Sequence, residues 1–272
     1  MNKTLTPVSS GLRWCFSSLG CPDLSLDQMA ALARKFGIGQ LELRAACGRI
    51  DLPALAAEAG WMGQSPAALL GGGDDVRVVA FNASAKLSMP FEEASRELVD
   101  FAPLMTFFGA GSLRVFDGEM DGPAALERAW RWLDQWEALR SREGWDFSLS
   151  IETHSSLLEP ESIERLFSRG HPHVHLLWDS HHTWKKAGLD PVALWPVVRP
   201  WTRHIHVKDS ISVPSKRHPY SYVLPGEGEF PLAELLAVLD RDTFDGFVSL
   251  EWEKLWHPDI PPLSDALTAL GK

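Results

Sequence analysis

Four side chains of this sequence, Glu152, Asp179, His206 and Glu251, have the types and placement to hold a metal ion together. Each stands at or near the end of a short strand-like segment, 147–152, 174–179, 203–208 or 246–251. In the first segment Phe147, Leu149 and Ile151 fall on one face, and Ser148, Ser150 and Glu152 on the other. That period of two is the signature of a strand. Three carboxylates and an imidazole form an oxygen-rich donor set. It suits one divalent ion such as Mn²⁺, Mg²⁺ or Co²⁺, admits Zn²⁺, and does not suit a structural thiolate site. The ion would also relieve repulsion among carboxylates sharing a small space. Taken singly, each residue reads as a loop cap, a solvated charge or a packed histidine. Four at equivalent strand ends point to one site.

Such a site has a definite chemistry. A divalent ion chelated by a carbonyl and the neighbouring hydroxyl makes the adjacent C–H acidic and stabilises an enediolate. One carboxylate can take that proton and a second can return one. Return to the same carbon from the opposite face is epimerisation, and return to the neighbouring carbon is isomerisation. A leaving group β to the carbanion turns the same apparatus into a lyase.

The elements that must position these residues repeat along the chain. Strands are expected over 12–17, 40–44, 77–82, 112–116 and the four segments above. Helices are expected over 25–36, 51–59, 66–70, 91–108, 123–142, 160–168, 191–198, 231–239 and 264–270. Ser25 with Gln28 has the spacing of a capping box. The span 209–230 reads as a long irregular loop. Eight strand–helix alternations predict a parallel sheet closed into a (β/α)₈ barrel of the α/β class. Its active site belongs at the C-terminal strand ends. No linker or composition break divides 1–272, so one domain is expected.

Bulk properties narrow the partners. The length of 272 residues is that of one such barrel, and a charge of −10 argues against nucleic acid. A small anionic substrate needs only a few local cations and stays open. Cys15, Cys21 and Cys47 cannot all pair, and no disulfide framework is indicated. Residues 1–10 lack a signal-type apolar core, and no run reaches the length of a membrane span. A cytoplasmic protein with no membrane partner is expected.

A series of motifs carries a resemblance over nearly the whole chain. It begins with Leu19-Gly20-Cys21-Pro22-Asp23 and Leu41-Glu42-Leu43-Arg44, and continues with Ile151-Glu152-Thr153-His154 and Trp178-Asp179-Ser180-His181-His182. His206-Val207-Lys208-Asp209, Pro225-Gly226-Glu227-Gly228-Glu229 and Ser249-Leu250-Glu251-Trp252-Glu253-Lys254 complete it. In order and spacing they resemble the sugar isomerase/epimerase superfamily with the xylose isomerase-like TIM barrel. The resemblance implies that Glu152, Asp179, His206 and Glu251 bind the metal, often manganese. It makes Glu152 and Glu251 the acid/base pair and places His182 near the substrate. It also implies a homodimer or homotetramer. His154 and His181 depart from the ketose 3-epimerase pattern and read equally as site contacts or packing. Glu42, Arg44 and Arg114 are on inward faces, where an internal ion pair and a substrate contact compete. Lys208 alternates in phase with His206, and Arg217 within Lys216-Arg217-His218 offers a cation for phosphate or carboxylate. Glu227 reads as a loop-ordering residue, and Trp252 and Trp256 as flanks for a sugar ring. The leading expectation is a metal-dependent isomerase or epimerase of a small carbohydrate. The alternative is a lyase on the same site, a keto-inositol dehydratase or a keto-glycoside eliminase. An abasic-site endonuclease and a non-catalytic sugar binder rank lower.

Overall fold

The structure is a computed structural model that describes residues 11–120 and 122–272. The expectation for 1–10 lies outside the described residues. Eight parallel strands close into one barrel: β1 (Arg13–Ser17), β2 (Gln40–Leu43), β3 (Arg77–Lys86), β4 (Ser112–Phe116), β5 (Ser148–Glu152), β6 (Val174–Asp179), β7 (Thr202–Val207) and β10 (Phe247–Leu250). Neighbours follow sequence order, and the ring shuts where Trp14 pairs with Val248 and Phe16 with Leu250. Helices α1 (Leu26–Lys35), α2 (Leu52–Glu58), α3 (Pro66–Leu69), α4 (Phe91–Phe108), α5 (Gly122–Glu143) and α6 (Pro160–Phe167) connect the first six strands on the outside. Next come α7 (Ser180–Ala187), α8 (Pro191–Val198), α9 (Leu232–Arg241) and α10 (Leu263–Ala269).

The alternation in the sequence explains this arrangement. Leu149, Ile151, Val248 and Leu250 point outward and are buried under the helices, while Ser150, Glu152, Ser249 and Glu251 point into the barrel. Trp132 and Trp136 on α5 are buried in the hydrophobic core. Gly109 ends α4 in the left-handed region at φ 63°, a conformation that costs glycine little. In the capping box of α1, the Gln28 side chain accepts from the Ser25 N–H at 3.0 Å.

Three elements differ from expectation. Helix α7 begins directly after β6, where no helix is predicted; Asp179 is its N-cap and accepts from His182 N at 2.8 Å. The segment Ser180-His181-His182-Thr183 is buried throughout its first turn, so it lacks the apolar stripe that marks a surface helix. Strand β3 runs four residues beyond the expected end at Asn82, to Lys86. The 209–230 span is ordered by a hairpin of β8 (Asp209–Ile211) and β9 (Ser221–Val223), each too short to show periodicity. The Asp209 carboxylate, rather than Glu227, orders the rest of that span: it accepts from Gly226 N at 2.9 Å, Gly228 N at 3.0 Å and Phe230 N at 3.1 Å. Among the described residues, no helix is long and apolar enough to cross a membrane.

Candidate metal centre and active site

The C-terminal ends of β5, β6, β7 and β10 deliver Glu152, Asp179, His206 and Glu251 to one point. One ligand atom from each lies within 4.8 Å of all the others, and all four residues are buried. Register explains part of this convergence, since Asp179 is the direct cross-strand partner of His206. His206 Nδ1 stands 3.2 Å from a Glu251 oxygen and 4.0 Å from Asp179 Oδ2.

Whether these residues fit a divalent ion is tested by their unmet hydrogen bonds. Glu152 Oε2, Asp179 Oδ2 and His206 Nδ1 are buried atoms with no hydrogen-bond partner of good geometry. Buried polar atoms are normally paired. Two of these atoms meet only ion pairs, Glu152 Oε2 with Arg114 and Asp179 Oδ2 with Lys208, and their convergence with His206 Nδ1 marks a place where a positive centre fits. The donor set of three carboxylates and one imidazole suits the same occupant.

Protein cations already touch the cluster. Arg114 Nε lies 3.0 Å from Glu152 Oε2, and its guanidinium sits over the Phe116 ring at 3.9 Å. Lys208, fully buried, brings Nζ to 2.8 Å from Asp179 Oδ2 and 2.8 Å from Glu253 Oε1, and also contacts Glu251. Tyr222 donates to the same Glu253 oxygen at 2.8 Å. Burial pushes the Glu152 carboxyl up to about 8, against the pull of Arg114 and with the help of the nearby Glu251 charge. Burial would raise Glu251 as well, but His206 and Lys208 hold it well below the usual carboxylate range. Lys208 stays charged because Asp179 and Glu251 outweigh the cost of burying it.

Above the cluster lies a cavity of about 250 Å³ lined by polar and aromatic side chains. Arg44, Arg114 and Arg217 line it, as do His154, His182, Glu152 and Glu251. His182 Nδ1 is 3.1 Å from Asp179 Oδ2, and its ring meets His154 edge-on at 4.9 Å between centroids. His154 is thereby a cavity residue, whereas His181 is buried against Ser210 Oγ at 2.8 Å and an aromatic cluster behind the wall.

Trp252 corrects one expectation. It is wholly buried in the hydrophobic core, with its indole N–H donating to the Pro261 carbonyl at 2.8 Å, and it does not face the cavity. Trp256 takes that place. Glu42 also settles on one of the two competing readings: it forms an internal pair with His204 and His206. Arg44 is split between backbone and Ser84 contacts on one side and the cavity on the other.

Several cavity residues are not legible in the sequence. Both tyrosines of the chain, Tyr220 and Tyr222, line the cavity from the β8–β9 hairpin, and Lys186 reaches it from α7. Their rarity and spacing of two were the available signal. The hairpin and helix that carry them were not predicted, so the signal had no frame. Asp117, behind the cavity wall, is equally unmarked in the sequence: its carboxylate accepts from the backbone N–H groups of His154, Ser155, Ser156 and Leu157 at 2.7–3.2 Å. It fixes the loop on which His154 rides.

Known proteins resemble the chain at sequence and structure level. The 3-dehydroshikimate dehydratase of Bacillus anthracis is 28% identical over 198 residues, 65% of this chain and 69% of its own length. The inosose dehydratase of Clostridium beijerinckii is 22% identical over 204 residues, 64% of this chain and 68% of its own length. The crystal structure of the probable 3-DHS dehydratase from Bacillus anthracis superposes with a TM-score of 0.75 at 20% identity, covering 96% of this chain and 99% of that one. The sequence profile of the xylose isomerase-like TIM barrel matches residues 72–270, and the chain belongs to that family.

Proposed function

We propose that the protein is a metal-dependent lyase that removes water from a small hydroxylated cyclic ketone. The observation that carries this reading is the four-ligand cluster at the floor of the cavity. The choice of elimination over isomerisation or epimerisation follows the two sequence relatives, both of which are named dehydratases. Glu152, Asp179, His206 and Glu251 would hold the ion. When bound, it supplies Lewis acidity to a carbonyl and the neighbouring hydroxyl, making the C–H between them removable.

The remaining work falls to the side chains. Glu251 is the base that takes the carbon-bound proton. Lys208 touches Glu251 directly and stabilises its charge, and Glu251, which lines the cavity, hands the same proton on to the departing β-oxygen, which leaves as water. One water leaves per turnover, and the protein regains its starting protonation. Glu152, paired with Arg114, faces the reacting carbons from the other wall and is the second carboxylate available for proton return. His182 and His154 form one side of the cavity, where they orient substrate hydroxyls. Arg44, Lys186 and Arg217 place positive charge on its walls, which suits a substrate with an anionic substituent such as a carboxylate.

The test is to load the protein with Mn²⁺ or Zn²⁺ and offer 3-dehydroshikimate and inosose separately in deuterium oxide. The expected result is water loss from one of them, seen as a new conjugated chromophore. Stereochemical change or deuterium exchange without water loss would return the reading to isomerase or epimerase. No reaction on any keto-polyol with an ion bound would overturn it.

A further inference from the structure

Glu42 is fully buried on the inner face of β2, makes no contact with the cavity, and touches none of the carboxylates of the cluster. Its Oε1 lies 2.8 Å from His206 Nε2, and its Oε2 lies 3.0 Å from His204 Nε2. Asn82 donates its amide N–H to the same Oε1. Glu42 therefore sits on the far side of the His206 ring from the cluster.

We propose that Glu42 is the positioning carboxylate of the metal centre, fixing the proton of His206 on Nε2 so that Nδ1 presents its lone pair to the ion. This rests on the reading that the cluster holds a divalent ion. The two edges of the His206 ring make opposite demands. Nδ1 faces a Glu251 oxygen at 3.2 Å and Asp179 Oδ2 at 4.0 Å, the point on which the cluster's ligand atoms converge and where a positive centre would sit. Nε2 faces a carboxylate oxygen that can only accept. A neutral imidazole satisfies both in one tautomer, with the proton on Nε2 and the ion on Nδ1. Three polar neighbours surround Glu42: Asn82 donates to Oε1, His206 Nε2 lies against the same oxygen, and His204 Nε2 stands 3.0 Å from Oε2, which together fix its orientation. The ring is held at its backbone end too, since the Ser180 hydroxyl donates to the His206 carbonyl at 2.7 Å.

A purely structural ion pair would show the same distances, so the test reads the ion and the proton. Zn²⁺ and Mn²⁺ affinities are measured by chelator competition on the full chain, for the wild type, Glu42→Gln and His204→Gln. Glu42→Gln keeps the shape and removes the charge; it is expected to weaken ion binding about 10–100-fold. His204→Gln removes a partner of the same carboxylate on the side away from His206, and is expected to leave affinity close to wild type. The second readout is the ¹⁵N spectrum of histidine-labelled, zinc-loaded wild type, with His206 assigned by its loss in His206→Ala. A proton on Nε2 with a zinc-shifted Nδ1 is expected. A proton on Nδ1, or a folded Glu42→Gln protein with wild-type affinity, would overturn the role of Glu42 alone. A wild type that binds neither ion overturns the metal centre as well. The spectrum decides the matter should Glu42→Gln fail to fold.

Discussion

On the proposed reading His206 only holds the ion whereas Glu251 both holds it and moves the proton, so the two jobs should separate on mutation. His206 supplies the one nitrogen of the cluster, while Glu251 shares its charge with Lys208 as well as with His206. Glu251→Gln is therefore expected to lower turnover and solvent proton exchange by about 10²–10⁴-fold. It should retain more metal than His206→Ala, as read by elemental analysis beside a turnover assay. Equal activity of Glu251→Gln and wild type would remove Glu251 from the mechanism. At this scale the sequence was informative where chemistry and strand phase coincide. Glu152, Asp179, His206 and Glu251 each stand at or near the end of a strand-like segment, and all four converge. The partner of Glu42 was not readable in the same way. It lies 164 positions away on β7, and only closure of the barrel brings the two together. Trp252 shows the converse limit. Its place beside Glu251 suggests the cavity, yet the chain turns after β10 and buries the indole, whose N–H reaches the Pro261 carbonyl, while the Trp252 Cβ packs against Gly20.

At the scale of elements, two carboxylates act as knots for loops. Asp117 gathers the backbone N–H groups that follow β5, and Asp209 those that follow β9. Both replace solvent for donors that have no ladder to join. Asp117→Ala strands four backbone donors, that of Leu157 buried and the others part-buried, with an expected loss on the order of 2 kcal/mol. A drop in activity should accompany it, because His154 moves with the loop. Urea unfolding midpoints and turnover measured on the same protein check this, and an unchanged midpoint would show that water replaces the carboxylate freely. The Asp209 knot explains a glycine. A Cβ on Gly228 would lie 2.0 Å from Asp209 Oδ1 and 2.7 Å from the Ser210 carbonyl, so this turn excludes any side chain. Strands with a packed and an inward face were legible from period two, and long helices from their caps and glycine stops. Helix α7 was not, because its buried first turn consists of serine, histidine and threonine instead of a stripe of apolar residues. The hairpin strands are three residues each, shorter than any window in which alternation can be counted.

For the molecule as a whole, an ion that binds only the folded barrel must stabilise it by mass action. At an ion concentration about 100 times its dissociation constant the gain is about 2.7 kcal/mol. In a domain of this size that corresponds to a rise of roughly 5–10 °C in Tm. Chelation should remove the increment in the wild type and have no effect on His206→Ala, as followed by calorimetry at several Mn²⁺ concentrations. A wild-type Tm indifferent to chelator and to added ion would contradict the centre. The closing of the barrel has a further, kinetic consequence. Arg13 pairs with Phe247, so the last seam joins opposite ends of the described chain, and contacts of such sequence separation form slowly. Glu251 sits just beyond that seam, and Glu42 one strand to its other side. A refolding chain can assemble β5, β6 and β7 early, yet it has no complete ligand set until β10 docks. Capture of the ion during refolding would thus time the moment the ring shuts.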